Sequence, residues 1–133
     1  MPNRHPFGKL AAIYAGGMIG ALLRVGLSEA FPHPADAWPW PTLAVNLIGA
    51  FLIGYVFTAL RDHGPERLHH PFLATGICGT LTTFSTMQLE LFNMVDAGEF
   101  TLAAGYLIAS LAAGYLALRA GGVAAETRRG APA

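Results

Sequence analysis

Charge is what this chain has least of: only 12% of its 133 residues are Asp, Glu, Lys or Arg, against roughly 25% in a soluble globular domain. The eight basic and eight acidic side chains cancel, so no net field draws in nucleic acid, and no block of like charge forms a binding tail. Nucleic acid is therefore excluded as an expected partner. A single cysteine, Cys78, lies in an apolar segment, which rules out an internal disulfide framework and a cysteine-based metal site. At 133 residues there is no room for a second large domain. No nucleophile and base pairing, phosphate-binding loop or intramembrane metal-ligand set is visible, so an enzyme is not expected.

What the sequence does have is apolar length, with 53% hydrophobic residues. A bilayer core about 30 Å thick takes about 20 mainly apolar residues at a rise of 1.5 Å each. Four runs of that kind are predicted as spans at about 10–29, 38–60, 71–94 and 100–119. The first is interrupted by Arg24, while Trp38, Trp40 and Phe100 stand at span ends, where amphipathic rings favour the interface. Phe31-Pro-His-Pro, Arg61 to Arg67 and Asp96-Ala-Gly-Glu99 carry the breakers of connecting loops. Residues 120–133 are expected to form a disordered tail. The start, with Arg4 and Lys9 ahead of an apolar run, has the first two parts of a signal peptide but no clean small-residue cleavage site. Thus the expected fold is all-α: one four-span membrane domain over residues 1–133.

Small residues recur at helical spacing in Gly16-x-x-x-Gly20, in Ala50-x-x-x-Gly54, and in the stripe Gly105, Ala109, Ala113, Ala117. Such faces let helices approach closely. So little chain cannot easily enclose a pore, so these faces are expected to meet partner helices in an oligomer, most simply a symmetric dimer.

Polar groups at membrane depth are expensive and therefore informative. Asn46, in the middle of the second span, either donates its amide to an anion or ties two helices together. The stretch from Gly76 to Thr86 sets two glycines and five hydroxyl residues in the middle of the third span. Glycine and threonine both weaken a helix, so one reading is a local unwinding near Gly79 to Thr83 that frees carbonyls; the other is a continuous helix with hydroxyls bonded back to preceding carbonyls. Phe84 could turn its positive ring edge to a small anion, or simply pack. Tyr106 and Ser110 form an i, i+4 polar pair on the fourth span. Arg24 and Glu90 are the charges nearest the hydrocarbon, read either as snorkelling groups or, respectively, as an anion-concentrating residue at a vestibule and a partner of hydroxyls such as Thr86. His33, His63, His69 and His70 fall in loops or at span edges and are given no role.

Taken together, Gly16-Gly-Met-Ile-Gly-Ala-Leu-Leu-Arg24, Trp38-Pro-Trp-Pro-Thr-Leu-Ala-Val-Asn-Leu-Ile-Gly49 and Gly76-Ile-Cys-Gly-Thr-Leu-Thr-Thr-Phe-Ser-Thr86 resemble the CrcB/Fluc family of fluoride channels. That resemblance implies an antiparallel dimer with a break in the third helix, and passive export of fluoride across the inner membrane through two narrow pores. It implies a structural sodium ion at the dimer centre, held by the backbone carbonyls of Gly79 and Thr82. It also places Asn46, Phe84, Ser85, Thr86, Tyr106 and Ser110 along the fluoride path, with Glu90 as partner of the hydroxyl track and Arg24 at the vestibule. Met87 stands where the family usually has a second phenylalanine, and a polarisable thioether of similar bulk takes that place in the path. Arg4, Lys9, Arg61, Arg67, Arg119, Arg128 and Arg129 all lie on the terminal side, with only Arg24 toward the other. By the positive-inside rule that bias puts both termini in the cytoplasm, whereas an antiparallel homodimer needs the chain to insert both ways. Either dual insertion persists, or the chain pairs with an oppositely oriented homologue. The rival functions are a small multidrug-type proton-coupled exporter, disfavoured because the first span has no carboxylate before Glu29, and a non-conducting membrane subunit.

Overall fold

The computed structural model describes residues 6–34, 36–62 and 71–130. Its elements are α1 (Pro6–Ala30), α2 (Trp40–Leu60), a wide π-helical segment (Pro71–Cys78) running into a single α-turn, α3 (Gly79–Leu81), then α4 (Phe84–Asp96) and α5 (Phe100–Gly130). No strand occurs among the described residues. Arg4, His63, Arg67, His69 and His70 lie outside them.

Three helices, α1, α2 and α5, are long and apolar enough to cross a membrane, with mean hydropathies of 1.7, 2.1 and 1.6 over their best windows. Their large apolar side chains point outward: Tyr14, Leu22, Phe57, Ile108, Leu111 and Leu116 are all exposed. Water would not tolerate that surface, but lipid or a partner helix does. At 1.5 Å per residue α5 is about 46 Å long, so a portion of it must project beyond a 30 Å hydrocarbon layer. That portion includes residues 120–130, which the sequence reading assigns to a disordered tail but which continue the helix to Gly130. Glycines there offset the alanines in helix propensity, and what holds the end is its ties to α2: Arg128 donates to the Tyr55 hydroxyl at 3.0 Å, Arg129 donates to the Thr58 carbonyl at 2.9 Å and pairs with Asp62, and Arg61 reaches Glu126 at 3.9 Å.

Glycines set how near the helices come. A Cβ on Gly16 or Gly20 would enter the backbone of the segment Phe72–Leu81, and one on Gly54 or Gly121 would enter a carbonyl on the facing helix, Leu118 for the former and Phe51 for the latter. Close packing at Gly16, Gly20 and Gly54 is thus made inside the chain, not in an oligomer as expected from their spacing. The reason is that α1 and the Pro71–Leu81 segment, like α2 and α5, must nearly touch backbones to bury anything in so short a protein. Between α4 and α5 the chain reverses at Gly98, whose φ of +81° suits glycine. The amides of Ala97, Gly98 and Glu99 return to the carbonyls of Asn93, Val95 and Met94. This turn folds α5 back along α4, and a small core forms there from Leu43, Met87, Met94, Ala103 and Tyr106.

Candidate functional site

Two polar centres, one helical turn apart on α2, occupy the interior. The first is at residues 82–83. Helical geometry stops at Leu81; Thr82 has ψ 146° and Thr83 has φ −142° and ψ 105°, both extended, before α4 starts at Phe84. Asn46 meets both backbone groups of Thr83. Its Oδ1 accepts from the Thr83 amide at 2.8 Å, and its Nδ2 donates to the Thr83 carbonyl at 3.2 Å. An amide side chain carries a donor and an acceptor side by side, so it can satisfy both backbone groups at once. Asn46 therefore acts as interhelical glue, and what it ties down is the extended residue itself.

Thr83 also caps α4. Its hydroxyl accepts from the Thr86 amide at 3.1 Å and donates to the Thr86 hydroxyl at 2.7 Å, the usual way a threonine satisfies an orphan amide at a helix start. The carbonyls of Gly79 and Thr82 are among those that lose their helical partners as a result. In a continuous helix the Thr83 amide would close onto Gly79 and the Thr86 amide onto Thr82; here those amides go to Asn46 and to the Thr83 side chain. Thr82 bonds back to the Cys78 carbonyl (2.9 Å), while the Thr80 hydroxyl reaches across to the Gly17 carbonyl on α1 (2.9 Å), with that of Gly76 also near (3.0 Å). Gly49 lets α2 close onto the Thr82 methyl. Beside this centre Phe84 is 68% exposed and Ser85 is exposed as well.

The second centre is the carboxylate of Glu90. It is buried, and it takes hydroxyl hydrogens from Thr42 at 2.5 Å and from Tyr106 at 2.7 Å. His33 Nε2 approaches the same Oε1 that Thr42 holds, at 3.4 Å. Tyr106 is fully buried, with the ring of Trp38 packed edge-on at 5.7 Å. One turn along α5 the Ser110 hydroxyl is buried too, as is the indole N–H of Trp38. Thr42 precedes Asn46 by one turn, and Glu90 follows Thr86 by one turn. The helices α2 and α4 therefore carry two polar rungs, Asn46 to Thr83 and Thr42 to Glu90, separated by about 6 Å along α2.

The residues singled out from sequence fall into three groups. Asn46, Thr86, Glu90 and Tyr106 are drawn into the two rungs, with Ser110 beside them. Glu90, however, bonds Thr42 and Tyr106, whereas Thr86 is engaged by Thr83. The difference arises because the extended step at residues 82–83 turns the Thr83 hydroxyl onto Thr86, leaving Glu90 free to reach across to α2 and α5. Phe84 and Ser85 lie on the surface of the chain. Met87 is 5% exposed and packs in the core with Leu43, Met94 and Tyr106, whereas Phe84, one turn earlier at the start of α4, is 68% exposed. Arg24 is partly buried on α1. Sequence reasoning missed Thr42 and His33. Thr42 carried a usable signal, its i, i+4 relation to Asn46, but His33 carried none, since a loop histidine has no periodicity.

The whole-chain comparison bears on this arrangement. The family model described as CrcB-like protein, Camphor Resistance (CrcB), matches residues 11–122, which include every residue of both rungs. The chain belongs to the CrcB-like family. Its CrcB-like relatives include the fluoride-specific ion channel FluC 1 of Mycobacterium bovis, 51% identical over 120 residues covering 89% of each chain. The protein of the same name from Mycolicibacterium paratuberculosis is 47% identical over 116 residues, 86% of this chain and 88% of that one. The fluoride-specific ion channel FluC of Leptospira interrogans is 41% identical over 110 residues, 79% and 84%. This CrcB-like chain is a multi-pass membrane protein, with three helices able to span a bilayer by themselves.

Proposed function

We propose that this CrcB-like protein is a fluoride-selective channel that lets fluoride leave the cell passively down its gradient. The observation that carries the reading is the pair of polar rungs held at membrane depth, in a chain whose relatives are named fluoride-specific ion channels. A small, strongly hydrated anion needs donors to replace lost water, and a narrow polar track supplies them while rejecting a larger halide by size. The hydroxyls of Thr86, Tyr106 and Ser110, the Ser85 hydroxyl, the Asn46 amide and the ring edge of Phe84 are such donors. Met87, buried in the core, supports the track from behind.

In this reading Pro71 to Asp96 makes a third crossing, interrupted at Thr82 and Thr83, and α5 the fourth. Phe84 and Ser85, exposed on one chain, would be covered in a dimer of antiparallel subunits, as would the apolar face of α1. The carbonyls of Gly79 and Thr82, relieved of their helical amides, suit a hard monovalent cation such as sodium, which takes oxygen ligands. Two carbonyls are too few for a complete shell, so a second copy would supply the rest. Bound there, sodium would fix the two interrupted segments against each other. Arg24 would raise anion concentration at the vestibule.

The test is fluoride efflux from sodium-loaded proteoliposomes, followed with a fluoride electrode beside a chloride control. Fast fluoride release with chloride retained is expected. Vesicles that pass neither ion would leave a non-conducting subunit. Release that requires an imposed proton gradient would favour a proton-coupled exporter using Glu90, the carboxylate buried between α2, α4 and α5.

A further inference from the structure

Glu90 takes hydrogens from Thr42 on α2 and Tyr106 on α5, and His33 approaches it from the linker between α1 and α2. A hydroxyl carries one hydrogen. While Thr42 and Tyr106 give theirs to Glu90, neither can give it to an anion beside them. On the channel reading, on which this inference rests, fluoride must therefore compete with a carboxylate for the same two hydrogens. Each time it wins, Glu90 is left short of a donor in a place that water does not readily reach, which is costly for a charged group.

His33 is built to make up that shortage. Its Nε2 is 3.4 Å from Glu90 Oε1, just outside the usual range of an N–H···O bond, and Thr42 holds the same oxygen. A shift of a few tenths of an ångström would complete the bond once Thr42 lets go. Its side chain is 27% exposed against 10% for Glu90, so the ring stays in reach of solvent. Nε2 donates whether the ring is charged or neutral in that tautomer. When charged, it also offsets the negative charge that would repel an incoming anion.

We infer that His33 is a positioning residue of the anion path: it holds the Glu90 carboxylate from the solvent side, so that the Thr42 and Tyr106 hydroxyls can turn to a passing fluoride ion. The experiment compares initial fluoride efflux from proteoliposomes carrying wild type, His33→Ala, His33→Gln, Glu90→Gln and the His33→Ala/Glu90→Gln pair, each first checked for an unchanged melting temperature. Loss of a donor to a charged group predicts that His33→Ala slows efflux about tenfold. His33→Gln, which keeps an N–H of similar reach, should restore most of the rate. In the Glu90→Gln background, removing the imidazole should cost nothing further. Wild-type rates in His33→Ala, no recovery with His33→Gln, or an equal loss with and without the carboxylate would overturn the inference while leaving the channel reading intact. If Glu90→Gln is itself silent, loss with alanine and recovery with glutamine decide the matter. Wild-type vesicles that pass no fluoride would sink both.

Discussion

Asn46 makes two hydrogen bonds to one residue of another element, and their loss is not symmetric with their gain. Replacing it with alanine removes both and strands the Thr83 amide and carbonyl where little water reaches, at a cost of about 2–4 kcal/mol. Asn46→Ala is thus expected to lower the melting temperature in detergent by several degrees and to abolish most fluoride efflux. Asn46→Asp, which keeps only the acceptor for the Thr83 amide, should fall between. At the second rung the prediction is coupling. Tyr106→Phe and Thr42→Val each remove one donor from Glu90, at about 1.5–3 kcal/mol if the carboxylate is ionised, but the double variant should lose less than the sum, because the two hydroxyls serve one acceptor. A double-mutant cycle on thermal unfolding measures this, and strict additivity would separate the two bonds. Asn46 and Glu90 were legible from sequence because an amide or carboxylate amid apolar residues must have a partner. Which partner each takes was not, because Thr42 and Glu90 are 48 residues apart and nothing local relates them.

At the scale of elements, three of the four predicted spans were legible as long apolar helices. Length and hydropathy mark α1, α2 and α5; the segment from Pro71 to Asp96 falls below them because its glycines and threonines shorten every helix within it. The end of α5 escaped the reading, since alanine and charge without apolar length look like a tail until Arg128 and Arg129 find α2. Glycine spacing announced close packing but not its partner. The facing carbonyls make that packing testable: Gly121→Val drives a side chain into the Phe51 carbonyl, and because backbone cannot yield as a side chain can, a loss of about 1–3 kcal/mol or a failure to fold is expected. Gly114→Ala, on the same helix with open space around it, should be neutral or stabilising by up to about 1 kcal/mol. Thermal unfolding of the two variants side by side separates packing from helix propensity, and equal effects would mean that α2 and α5 do not meet at Gly121.

For the whole molecule, the surface poses the question of which way it sits. Every described basic residue except Arg24 lies near the terminal end, and Arg61, Arg128 and Arg129 are held there by Asp62, Glu126 and the end of α2. The acidic partners do not cancel the orienting effect, because insertion counts Lys and Arg and gives Asp and Glu little weight. A single orientation with cytoplasmic termini would follow if charge alone decided. The antiparallel homodimer proposed above requires the opposite insertion as well, with the exposed Phe84 of one copy brought beside its partner. Protease protection of a C-terminal epitope tag in sealed vesicles discriminates: the homodimer predicts tag on both faces, in comparable amounts. Ala97→Lys together with Glu99→Lys, placing two cations in the turn between α4 and α5, should shift the tag further toward the outer face without touching either polar rung. A tag found on the cytoplasmic face alone, and unmoved by those lysines, would mean that this chain reaches its antiparallel partner only as a heterodimer with an oppositely inserted homologue.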